Sequence, residues 1–165
     1  MSNVKEEDTA IYNAKPSDAL TDEQILERAA IIARSRVMQS PFNASNPRKI
    51  YEHFKTMFQQ EEREIFSIVS LDGRNNLISI DTLALGTISS AIIHPRELVK
   101  TVLKNNAASV ILIHNHPSGS LTPSDADHSI TKSIVKTLSM IEVEVLDHII
   151  VSYAGYKSFS ENGWI

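Results

Sequence analysis

His114, His116, Ser124 and Asp127 fall within one stretch, VILIHNHPSGSLTPSDADH over residues 110–128, and their types are those of a divalent-metal site. Side chains two apart on an extended backbone point the same way, so His114 and His116 can face one point in space while Asn115 faces away. Pro117, Ser118 and Gly119 turn the chain. Thr122 reads as the cap of a following helix with Pro123 at its first position. Ser124 and Asp127 then lie three residues apart on one face of the opening turn. Two imidazoles and one carboxylate suit zinc, one ion per chain, and a fourth position left to water marks a catalytic rather than a structural site. Hydrolysis at such a centre needs a carboxylate to move the proton of the attacking water. It also gains from a hydrogen-bond donor aimed at the developing oxyanion, a place Ser124 can fill.

Each of these residues also has a plainer reading. The histidines could be polar residues ending a strand, Asp127 a carboxylate interacting with a helix dipole, and Ser124 an early-helix residue with local hydrogen bonds. The combined spacing favours the metal site. His148 after Asp147 reads first as a structural histidine in a strand, with a supporting pair as the rival. His94 before Pro95 reads as a helix lead-in, and Asn115 as a brace for its loop.

The elements that must position these groups follow from periodicity and punctuation. A helix begins at Thr21, where Thr21 and Gln24 have capping-box spacing, and carries Ile25, Leu26, Ala29, Ile32 and Ala33 as an apolar stripe. After a breaker-rich loop, Asn46 caps a second helix with Pro47 at its first position, running to Phe58. Residues 65–71 and 77–85 read as strands joined through Asp72-Gly73, and a short apolar stretch lies near 88–93. The next helix starts at His94-Pro95 and buries Leu98, Val99, Val102 and Leu103. Residues 107–113 read as a strand covered on both faces. A helix with Ile130, Ile134, Leu138 and Ile141 on one side follows, and segments 143–146 and 148–151 complete the strand pairing. A mixed central sheet flanked by helices, an α/β fold, is the expected architecture. The expected division is an acidic tail over 1–19, a helix and linker over 20–45, and the metal-binding domain over 46–165.

Composition sets limits on function. The 165-residue chain has no cysteine, so disulfides are excluded and a metal must be held by histidine and carboxylate. The net charge of −4 resides in residues 1–24, and the rest is neutral. Direct nucleic-acid binding, which draws on phosphate neutralisation, gains no support from that balance. No signal peptide or apolar span is visible, and a cytoplasmic location without membrane contact is expected.

His114-x-His116, seven intervening residues, Ser124, two more and Asp127 resembles the JAMM motif of JAB/MPN metallopeptidases. HPREL (94–98), HNHPSG (114–119), TPSDAD (122–127) and DHIIV (147–151) resemble its RadC-like branch over roughly residues 46–165. The resemblance implies a JAB/MPN fold of the cytidine-deaminase-like type, and a zinc metallopeptidase acting on a protein or peptidic substrate. It also implies a glutamate at the start of an earlier strand as general acid/base. Glu61, Glu62 and Glu64 stand there, and periodicity does not choose among them, because Glu62 and Glu64 would share a face; the plainer reading of Glu64 is a solvated charge at a strand edge. The family pattern of Glu, one residue, Phe and an apolar strand ending in Leu-Asp matches Glu64 through Asp72, which places the role on Glu64. Longer RadC proteins carry an N-terminal helix-hairpin-helix region; the first 45 residues here are too short for it, so an association with DNA repair transfers poorly. The alternative from another class is a non-catalytic, metal-containing accessory or binding module beside DNA-repair or mobile-element machinery.

Overall fold

A computed structural model describes residues 20–39, 42, 44, 46–59, 61–86 and 93–165. The expected tail over 1–19 and most of the apolar stretch near 88–93 lie outside these residues. The chain divides into two compact units, residues 1–35 and 36–165. Helix α1 (Asp22–Gln39) opens as expected, with Thr21 and Gln24 exchanging side-chain-to-backbone hydrogen bonds of 2.9 and 3.3 Å. Of its apolar stripe, Ile25, Leu26, Ala29 and Ile32 are exposed.

The second unit is built on helix α2 (Pro47–Phe58), strands β1 (Ile65–Leu71) and β2 (Leu77–Leu85), helix α3 (Pro95–Lys104) and strand β3 (Ser109–Asn115). Helix α4 (Asp125–Ser139) and strands β4 (Glu144–Ser152) and β5 (Gly155–Ser158) follow. The five strands form a mixed sheet in the order β2-β1-β3-β4-β5. β3 and β4 are parallel, joined through α4, and the other pairs are antiparallel. The α/β architecture is therefore the expected one.

β3 is central and buried at all seven positions, which is why it carries an unbroken apolar run before its polar end. Alternation divides its side chains between two cores. Ile111 and Ile113 join Val69, Leu71, Ile149 and Val151 under α2, whose Ile50, Phe54 and Phe58 seal that face. Val110 and Leu112 join Phe66, Ile68, Val143 and Val145 under α3 and α4, through Leu98, Val102, Ile134 and Leu138. α2 holds its register through Asn46, whose side chain accepts from the Lys49 N–H at 2.9 Å, with Pro47 following.

Three expectations are corrected. Leu103 is 61% exposed rather than part of the buried face of α3, since Leu98 and Val102 already fill the line toward the sheet. The segments 143–146 and 148–151 are one strand, with a register shift at Leu146. The expected Thr122 cap lies two residues early: Ser124 is the N-cap of α4, in a capping box with Asp127, and Pro123 precedes the helix. The Ser124–Asp127 pair closes reciprocally, the backbone N–H of each donating to the side chain of the other. β5 has no counterpart in the sequence reading.

Candidate metal centre

The site lies where β3 ends. His116 extends the ladder one residue past the strand by donating its N–H to Val151 O at 2.8 Å, so the alternation carries through and the imidazoles of His114 and His116 emerge on one face. Asp127 comes from the third residue of α4, and capping brings it in: Asp127 N–H donates to Ser124 Oγ, and Ser124 N–H donates back to Asp127 Oδ2 at 2.7 Å. The three side chains converge, with one candidate ligand atom from each lying within 4.8 Å of the others. His114 Nε2 is 2.8 Å from His116 Nε2 and 3.3 Å from Asp127 Oδ1, and His116 Nε2 is 3.7 Å from Asp127 Oδ2. His114 and Asp127 are buried, and His116 is half-buried at the mouth.

The donor chemistry fits a cation. His116 Nδ1 lies 2.9 Å from Ser120 O, which can only accept, so Nδ1 carries the hydrogen and Nε2 offers a lone pair. Two ring nitrogens at 2.8 Å facing one carboxylate need a proton or a metal ion between them. Burial pushes the Asp127 carboxyl pKa up, but hydrogen bonding with His114 and His116 overrides it and holds the group well below the usual carboxylate range. The Asp127 carboxylate raises His116 against the opposing pull of burial, whereas burial wins at His114 and lowers it. The three residues thus form a group able to hold a metal ion.

Glu64 stands at the edge of this face. Phe66 is paired with His114 across β1 and β3 and its ring stacks on that imidazole, with centroids 5.8 Å apart; Glu64 lies two residues earlier, just before β1 begins. It is half-buried, and its charge acts on both His114 and His116. Glu61 and Glu62 line a cleft together with Asn115, His116, Pro117 and Tyr153. β1 starts at Ile65, so strand alternation assigns a face to neither Glu62 nor Glu64.

Asn115 does more than brace its own loop. Its Oδ1 accepts from Ile65 N–H at 2.7 Å, and its Nδ2 donates to Arg63 O at 2.9 Å and Glu61 O at 3.2 Å. One buried amide between the two histidines therefore clamps the backbone on either side of Glu64. Ser124 Oγ, at 2.8 Å, donates to Asp127 Oδ2, so its hydroxyl is directed at the carboxylate.

Sequence reasoning assigned no role at the site to Thr131 and made His148 a structural residue first. His148 is fully buried, with Nε2 2.8 Å from His114 Nδ1 and Nδ1 2.6 Å from Thr131 Oγ1. Asp147, considered as its partner, points elsewhere: it accepts from the His148 and Ser160 N–H groups and from Ser158 Oγ. The visible signal for Thr131 was its i+4 spacing from Asp127, which puts both on one helical face.

Residues 44–164 match the model of the RadC-like JAB domain family. A UPF0758 protein of Vibrio cholerae is 42% identical over 144 residues, covering 87% of this chain and 90% of that protein. UPF0758 proteins of Pseudomonas fluorescens and Histophilus somni are 44% and 43% identical, each over 73% of this chain. The chain spans only about half the length of these two curated relatives, 54% in each case. Among the described residues no helix is long and apolar enough to cross a membrane.

Proposed function

The chain belongs to the RadC-like JAB domain family, and from that premise we propose that it is a zinc-dependent hydrolase of amide bonds, acting on a peptide or isopeptide linkage in a protein or peptidic substrate. The observation that carries the reading is the convergence of His114, His116 and Asp127 into one group able to hold a metal ion, with the half-buried Glu64 near enough for its charge to act on both histidines. Two histidines and a carboxylate are a ligand set that zinc accepts with a position to spare. Bound there, zinc supplies Lewis acidity, lowering the pKa of a water toward about 7 and polarising the substrate carbonyl.

The chain's own groups carry the proton and the charge. Glu64 accepts a proton from the attacking water as the C–O bond forms, and delivers it to the amine nitrogen as the C–N bond breaks. Ser124 turns its hydroxyl from Asp127 to the carbonyl oxygen as negative charge develops there. Asn115 holds the backbone around Glu64 by its three hydrogen bonds.

The experiment is turnover of a pool of quenched fluorogenic peptides by wild type and Glu64→Gln. Loss of general-base assistance lowers rate by roughly a hundred- to ten-thousand-fold. Glu64→Gln is expected to keep its metal and lose turnover, and full activity in that variant would defeat the assignment. A second reading, a metal-containing accessory module without catalysis, draws support from the Ser124 hydroxyl being committed to Asp127. It predicts that chelation unfolds the protein, whereas a catalytic site leaves a folded apo-protein.

A further inference from the structure

We infer that Thr131 and His148 form a directional hydrogen-bond relay that fixes the tautomer of His114 and so presents its Nε2 lone pair to the metal; this rests on the metal-binding reading above. The direction follows from a single contact. Thr131 Oγ1 lies 2.6 Å from Asp127 O, one turn back along α4, and a carbonyl oxygen can only accept. The one hydroxyl hydrogen of Thr131 is spent there. Its oxygen, 2.6 Å from His148 Nδ1, must therefore accept, and His148 carries its hydrogen on Nδ1.

His148 is fully buried and ringed by Phe66 and Phe159, with centroids at 5.4 and 4.5 Å, a setting that keeps the ring neutral. Its Nε2 is then a lone pair, 2.8 Å from His114 Nδ1, and His114 must donate. With the hydrogen of His114 on Nδ1, its Nε2 is left as an acceptor facing Asp127 Oδ1 and His116 Nε2. An unconstrained histidine side chain prefers the opposite tautomer, so the relay reverses an intrinsic preference. It also closes on itself: it starts at the main-chain carbonyl of one ligand, Asp127, and ends at the ring of another. His148 and Thr131 are positioning residues, and they tie the register of α4 to that of β3 and β4.

The test measures zinc affinity by competition with a chromophoric chelator, and the His114 tautomer by 15N NMR of the histidine rings in zinc-free protein. The proteins are wild type, His148→Phe, Thr131→Val and Thr131→Ser. Removing partners of metal-binding histidines typically weakens affinity about 10- to 100-fold. His148→Phe is expected in that range, Thr131→Val near its lower end, and Thr131→Ser, which keeps the hydroxyl, close to wild type. Wild type should show His114 protonated on Nδ1, and Thr131→Val a mixture of both tautomers. If wild type binds zinc while Thr131→Val and His148→Phe bind equally well with an unmoved tautomer, the relay is overturned. Should His148→Phe fail to fold, Thr131→Val against Thr131→Ser decides. If wild type binds no zinc, the functional reading falls instead, and the NMR tautomer alone decides the relay.

Discussion

Asn115→Ala tests the link between the metal ligands and Glu64. The native side chain is 2% exposed and makes three hydrogen bonds to the backbone at Glu61, Arg63 and Ile65, more than 45 residues away in sequence. A hydrogen bond contributes about 0.5–1.5 kcal/mol net, and a buried group left without a partner costs about 1–3 kcal/mol. The carbonyls of Glu61 and Arg63 lie where water can reach and fall near the lower figure; the Ile65 N–H starts a buried strand and falls nearer the upper one. The sum is about 3–4 kcal/mol. With a urea m-value of about 2 kcal/mol per molar, the unfolding midpoint should drop by about 1.5–2 M without a change in m. Because the ligands stay in place while Glu64 loses its anchor, zinc content should persist and turnover should fall. Urea unfolding by circular dichroism, beside elemental analysis, measures both. A loss of stability below about 0.5 kcal/mol, the range of ordinary surface changes, would refute the claim that this amide holds the Glu64 segment.

Other perturbations follow from the same geometry. Phe54→Ala removes a fully buried ring from the core under α2 and should cost about 3–5 kcal/mol in urea unfolding. Gly119 has a φ of +84° and a Cβ there would meet the Tyr153 ring. Tyr153 is 75% exposed and can swing away, so the backbone dominates: Gly119→Ala should cost about 1–2 kcal/mol, and adding Tyr153→Ala should not restore it. Recovery in the double variant, read from thermal unfolding, would show the ring to be the obstacle.

Much of the fold was legible because local signals agreed with one another. The bounds of β1 and β2, the Asn46-Pro47 start of α2 and the shared face of His114 and His116 all follow from period and punctuation. The cap of α4 was misplaced because Thr122-Pro123 imitates a helix start, while the real capping box closes with Asp127 in a position where Glu or Gln is the usual signature. β5 is four residues long and contains glycine and lysine, too little for an alternation to register.

The site role of His148 was hidden by a bulge. Val145 pairs with Val110, and His148 pairs with Leu112, so Leu146 is an extra residue in β4. Strict alternation would put His148 on the opposite face from Val145; the bulge turns it onto the face of His114. Glu64 was separable from Glu62 only through resemblance, because both precede the first strand residue, Ile65, and alternation would give them one face.

Metal content tests the central claim most directly. Untagged wild type and Asp127→Ala would be compared by elemental analysis after loading with zinc and removal of excess. The convergence of His114, His116 and Asp127 predicts close to one zinc per wild-type chain and little in the variant. A wild type that takes up no zinc, or an Asp127→Ala variant that holds as much, would contradict it.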